Sequence, residues 1–158
     1  MRLLLASALL FLQAAPPPTP PPAEHFLEIT NRFQIDMHTK DIDDVLKLYA
    51  PNAVFADPDG HTFTGPDQLQ SLYKQVFATY DSDIDFADRV VQIPDASSAN
   101  NTVTEHGNYI ETLHNRNTNA TQHLCGTYSE SFAQQPTGIW LISEHHWTSS
   151  ACKDSQLK

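Results

Sequence analysis

Asp57 closes a short apolar run, Ala53-Val54-Phe55-Ala56, and stands directly before Pro58-Asp59-Gly60. A strand followed by that turn-forming trio leaves the carboxylate at the lip of whatever cavity the neighbouring elements enclose. Two kinds of chemistry suit it there: taking up and returning a proton, or accepting hydrogen bonds within its own turn. The other reactive side chains fall in the second half, where His106, His123, His145 and His146 lie in segments that read as strands. Alternation places Trp140, Ile142, Glu144, His146 and Thr148 on one side of the last strand. Leu141, Ser143, His145 and Trp147 take the other side, where Trp147 is a candidate for a dimer surface. A simple hairpin through 134–138 sets Tyr128 opposite Glu144 and Gly126 opposite His146, with Leu124, Glu130 and Phe132 on the same face. That mixture of bulky apolar groups and a few polar ones is the expected lining of a ligand cavity. His106 joins this face or leaves it according to one residue of register.

His106, Glu144 and His146 carry ligand atoms that suit Zn²⁺, but no His-x-His or His-x-x-x-His spacing accompanies them, and no metal is expected. Gly-rich phosphate loops, a Gly-x-Ser-x-Gly elbow and a Cys–His nucleophile pattern are absent from the sequence. No cofactor is expected either.

Three helices and a set of strands must position these residues. Residues 24–38 carry Phe26, Ile29, Phe33 and Met37 at helical spacing. Asp41 caps a second helix whose Ile42, Val45, Leu46 and Tyr49 share a face and which Pro51 stops. Gly65 and Pro66 open a third, whose stripe is Leu69, Leu72, Tyr73, Val76, Phe77 and Tyr80. Strands are predicted over 86–93, 102–113, 121–132 and 139–148, separated by turn-rich pieces. Helices first and antiparallel strands later indicate an α+β domain, with helices on one face of a bent sheet. Tyr49, Phe55, Tyr73, Phe77 and Trp140 are expected to line its core and cavity.

The flanks point to export. Arg2, the apolar stretch 3–12 and Ala14-Ala15 form a secretory signal over 1–15, too short to span a bilayer. Residues 16–23 form a proline-rich linker, the folded domain occupies 24–150, and 151–158 is a tail. Cys125 and Cys152 are the two cysteines, and in an exported chain they form one disulfide. Asn100 and Asn119 each begin an N-glycosylation acceptor. A net charge of −10 with nine scattered basic residues argues against nucleic acid and against anionic membranes once the signal is removed.

The order of elements resembles the nuclear transport factor 2-like superfamily, with its SnoaL-like domains and ketosteroid isomerases. The resemblance runs from Asp41 to Ser150. It is carried by Asp41-x-Asp, Leu48-Tyr49-Ala50, Ala53-Val54-Phe55-x-Asp57-Pro58-x-Gly60, Gly65 and Gly138-x-Trp140-x-Ile142. It implies a cone-shaped curved antiparallel sheet wrapped around three N-terminal helices, with a cavity at the open end. In the isomerase pattern Asp57-Pro58 holds the general base, which works best when partial burial raises its pKa. The isomerase tyrosine falls on Phe33, which has no donor, and its protonated aspartate falls near Tyr128, whose phenol can serve an oxyanion instead. A histidine such as His146 paired with Asp57 resembles the usage of scytalone dehydratases. Three functional classes follow: a binder of a small apolar molecule, with Tyr49, Phe55, Tyr73, His106, Trp140 and Glu144 as contacts; a cofactor-free isomerase, dehydratase or cyclase using Asp57, Tyr128 and His146; or a homodimerising association domain.

Overall fold

A computed structural model describes residues 20–95 and 102–152. The signal segment and the Asn100 acceptor therefore lie outside the described residues. Helix α1, Ala23–Thr39, buries Phe26, Thr30, Phe33 and Met37, one residue on nearly every turn of a single face. Lys40 ends it with a left-handed backbone, φ 60°, and its N–H returns to the Met37 carbonyl at 3.3 Å. Helix α2, Ile42–Lys47, starts where Asp41 accepts the Asp44 N–H at 3.0 Å. Helix α3, Gly65–Thr79, has proline in its first turn and buries Leu69, Tyr73 and Phe77.

Six strands form one sheet: β1 (Tyr49–Ala56), β2 (Thr62–Thr64), β3 (Tyr80–Gln92), β4 (Val103–Asn115), β5 (Thr121–Gln134) and β6 (Trp140–Trp147). Their order is β2-β1-β6-β5-β4-β3, so the sheet ends in two edges and does not close. All neighbours are antiparallel except β1 and β6, which run parallel and join the first strand to the last. The helices cover the inner face, and one apolar cluster from Phe26 to Trp147 fills the space between. The α+β class is the one indicated by the element order, and the curved sheet wrapped around the helices is the one implied by the resemblance.

Two boundaries differ from the expectation for a common reason. Tyr49 and Tyr80 continue the apolar stripes of α2 and α3, yet each begins a strand. The Leu48 carbonyl accepts the Ile142 N–H at 2.8 Å, and Tyr49 pairs with Ile142. Tyr80 likewise pairs with Asn115. Ladder pairing satisfies backbone groups that another helical turn would otherwise need, and tertiary context overrides the helical spacing.

Two bulges decide what faces inward. On the β5–β6 ladder Phe132 pairs with Ile142 but Ser131 with Glu144, so Ser143 is the extra residue. Its hydroxyl donates to the Ser131 carbonyl at 3.0 Å. On the β3–β4 ladder Ala87 pairs with Asn108 and Val90 with His106, leaving Asp88 and Arg89 against Gly107. Asp88 takes φ 52° there. A side chain on Gly107 would lie 2.7 Å from the Ala87 carbonyl oxygen and 2.9 Å from the Tyr128 ring. Glycine is therefore what lets the Tyr128 ring cross β4 at this point. At the other end of β5, Cys125 is disulfide-bonded to Cys152, with Cα atoms 5.1 Å apart, and this ties the tail to the sheet.

Candidate functional site

A pocket of about 210 Å³ opens between α1, α3 and the inner face of the sheet. Its walls are mostly apolar, including Phe33, Met37, Leu72, Val76, Ile84 and Leu124. Of the residues expected to line a cavity, Phe55 and Tyr73 do so, and Asp57 stands at the rim with Pro58. Glu111 is the second carboxyl in this wall, and the Ser82 hydroxyl donates to it at 2.6 Å.

The two carboxyls are tuned in opposite directions. Burial would raise the Asp57 pKa, but hydrogen bonds prevail and hold it below the usual carboxylate value. Its Oδ1 accepts the N–H groups of Asp59 at 3.0 Å and His61 at 2.8 Å, and Oδ2 meets His61 Nδ1 at 2.8 Å. The expectation that partial burial raises the Asp57 pKa is thus corrected: the Pro58–Gly60 turn and His61 stabilise the ionised form. His61 is raised in turn by Asp57. Glu111 carries the opposite shift, since burial raises it against a single opposing hydrogen bond from Ser82.

The Ser143 bulge overturns the expected faces of the last strand. Glu144 and His146 are exposed on the outer side, 3.6 Å apart, and do not reach the pocket. His106 is exposed on that outer side too, across Ser129 from His146. His145 and Trp147 turn inward instead, so Trp147 is a core and pocket residue and not a dimer surface. Tyr128 pairs with Trp147, not Glu144. The hairpin pairing is displaced by two residues at the turn, which keeps the face, and by one at the bulge, which inverts it. Trp140 is buried against Phe26, with ring centroids 5.3 Å apart, and lies outside the pocket wall.

Tyr128 is buried but takes no part in lining this pocket. Its hydroxyl donates to Glu105 Oε1 at 2.6 Å. Arg89, swung inward by its bulge, donates to the same oxygen at 2.8 Å. Thr30 on α1 then lies 2.9 Å from Glu105 Oε2 and 2.8 Å from Glu130 Oε2. One hydroxyl hydrogen cannot serve two carboxylates, so one of these contacts has a protonated carboxyl as donor. Glu130 is the protonated member: burial, and then the Glu105 charge, raise it to about 8. His145 Nε2 lies 3.3 Å from Glu130 Oε1, but burial and the nearby His146 depress the imidazole to about 3, so this is no ion pair. Tyr49, also expected at the cavity, belongs to this interior, with its hydroxyl 2.8 Å from His145 Nδ1 and 2.8 Å from the Tyr73 hydroxyl.

Glu105, Glu111 and the inward face of His145 were not found by sequence reasoning. On β4, Val103, Glu105, Gly107, Tyr109 and Glu111 face inward, while Thr104, His106, Asn108 and Ile110 alternate with them. Both sets mix polar and apolar residues, so alternation alone does not say which is inside. Asp57, Asp59 and His61 lie close enough to hold an ion, but their contacts are the hydrogen bonds already described. Asn119 is exposed in the β4–β5 turn. Among the described residues no helix is long and apolar enough to cross a membrane.

Known proteins share this architecture. A nuclear transport factor 2-like superfamily protein from Salmonella enterica serovar Typhimurium is 20% identical, covering 82% of this chain and 91% of its own, with a TM-score of 0.71. A ketosteroid isomerase-like protein from Erwinia carotovora atroseptica is 19% identical over 80% of this chain and 94% of its own, TM-score 0.65. A hexachlorocyclohexane dehydrochlorinase from Novosphingobium barchaimii LL02 is 12% identical over 80% and 84%, TM-score 0.69. At such identities the likeness is one of fold. Among curated proteins none matches significantly. The sequence itself matches the family model for the SnoaL-like domain over residues 29–128, which takes in the second half of α1, the Asp57 turn, α3 and the strands as far as Tyr128. The chain belongs to the SnoaL-like domain family.

Proposed function

We propose that this chain is an exported domain that binds a small, largely apolar molecule in the pocket between α1, α3 and the sheet. The observation that carries this reading is the pocket itself: apolar walls with only two carboxyls, Asp57 and Glu111, among them. The Cys125–Cys152 disulfide supports export, since such bonds persist in oxidising compartments. Indane, a compact bicyclic hydrocarbon, is a suitable probe. Calorimetric titration should show it binding the wild type, and Leu124→Trp, which fills the pocket from β5, should abolish binding while the protein stays folded. Undiminished binding to Leu124→Trp removes the pocket from consideration.

A second reading, cofactor-free proton transfer, is favoured by one observation: two carboxyls shifted in opposite directions share one wall. Asp57 is ionised and can take a proton, and Glu111 is held toward the form that gives one. With 1-indanone in D₂O, the protein should accelerate exchange of the hydrogens beside the carbonyl. Asp57→Asn should lower that rate by at least tenfold without weakening binding. Equal rates in the two proteins leave binding as the function. Association through a dimer has the least support, because its expected anchor, Trp147, is inside the core.

A further inference from the structure

The wall of the pocket is unbalanced in charge. It holds two carboxyls, Asp57 and Glu111, and no lysine, arginine or histidine. The cations among the described residues are committed elsewhere. Arg32, Lys40, Lys47, Arg89 and Arg116 face carboxylates outside the pocket, and Lys74 donates to Gln70. His61 comes no nearer than the rim, where it is paired with Asp57. Glu111 has no such partner. On the sheet it stands in a row between Ile84 of β3 and Leu124 of β5, with all three in the wall. Its Oε1 accepts the Ser82 hydroxyl, and Oε2 has no hydrogen-bond partner among the described residues. The oxygens sealed in the core without partners belong to Asp36, Tyr109 and Glu130, so Oε2 of Glu111 opens to the pocket.

The remaining wall complements a positive charge as well. Phe33, Phe55, Tyr73, Tyr80 and Trp147 give it five aromatic side chains. Between centroids, Phe33 lies 6.3 Å from Trp147 and 6.4 Å from Tyr73, and Phe55 lies 6.4 Å from Tyr73. The faces of such rings carry negative potential and attract cations, those of tryptophan most strongly. Anions are opposed twice, by the two carboxyls and by the net charge of −10 on the chain.

We infer that the ligand is a protonated amine on a compact apolar frame, its ammonium on Glu111 and its hydrocarbon among the aromatic side chains. Burial presses Glu111 toward its neutral acid against the hydrogen bond from Ser82, because a lone charge in an apolar wall is uncompensated. An ammonium supplies the compensation, and its N–H groups suit the oxygen that Ser82 leaves free. Neither charge is then buried singly. Asp57 adds negative potential at the rim, where an approaching cation passes it.

This inference rests on the ligand-binding reading and names its ligand class. The probes 2-aminoindane, indane and indane-2-carboxylate share one frame and differ in charge. Calorimetry with the wild type should rank them in that order, the amine about ten- to hundredfold tighter than indane. Glu111→Gln keeps an oxygen that accepts from Ser82, and it should erase the preference for the amine over indane. In the wild type the preference should persist in about 1 M salt, where the screening length is about 3 Å and the overall charge of the chain no longer draws cations. Equal binding of amine and indane overturns the amine while the pocket reading stands. So does a preference that survives in Glu111→Gln or vanishes in salt. Failure of all three probes to bind sinks both readings together.

Discussion

The inner face of the sheet holds two pairs of carboxyls, and they are treated differently. At the closed end Glu105 and Glu130 are 0% and 1% exposed and are bridged by one threonine hydroxyl. At the open end Asp57 and Glu111 line one pocket and share no bridging group in its wall. The closed pair is sealed: Arg89, Tyr128 and Thr30 use the acceptors of Glu105, and Glu130 remains neutral. The open pair keeps a surface that a ligand can reach. Carboxyls on one sheet face therefore divide by what surrounds them, with the first pair organising the core and the second available for chemistry.

The sharpest way to break this division is Glu105→Gln. Arg89 is 17% exposed on its side chain and would lose its ionic partner. The expected loss is about 3–5 kcal/mol in urea denaturation. A loss below about 1 kcal/mol would show that the closed pair is not structural. Glu130 offers a second test through pH. Its folded pKa, about 8, lies above the ordinary value of 4.5. Its stabilising contribution is therefore complete below 4.5 and is lost as pH rises through about 8. The slope should approach about 1.4 kcal/mol per pH unit, and Glu130→Gln should flatten it in urea melts across that window. The smallest effect belongs to the open pair. Asp57→Asn should leave stability nearly unchanged but return the His61 pKa, raised by Asp57, toward 6.5 in an NMR titration. An unmoved His61 would mean that the ion pair at the rim does not form in solution.

Much of the fold was legible before the structure. Phe26, Phe33 and Met37 announced α1, Asp41 its neighbour's cap, and Gly65-Pro66 the start of α3. Asp57 could be located because Pro58-Asp59-Gly60 is a local signal that names its own turn. The faces of the long strands were another matter. His145 and His146 differ in sequence by one position, and their order inside and outside depends on the bulge at Ser143, the fourth residue of β6. Nothing local marks Ser143 as the extra residue. Glu105 and Glu111 escaped for a related reason, since a carboxyl inside a sheet is recognisable only through partners that come from other elements.

The extra residue at Ser143 gives the last strand an asymmetric tolerance of changes in length. Deleting Ser143 itself would only straighten the ladder, because Ser131 already pairs with Glu144, and His145 and Trp147 would keep their inward places. Inserting one amino acid between Glu144 and His145 would exchange the tenants of two compartments at once, sending an imidazole and an indole into water and drawing His146 into the hydrocarbon. Among relatives of this chain, a one-residue gap at the bulge should therefore be tolerated where a one-residue insertion after it is not.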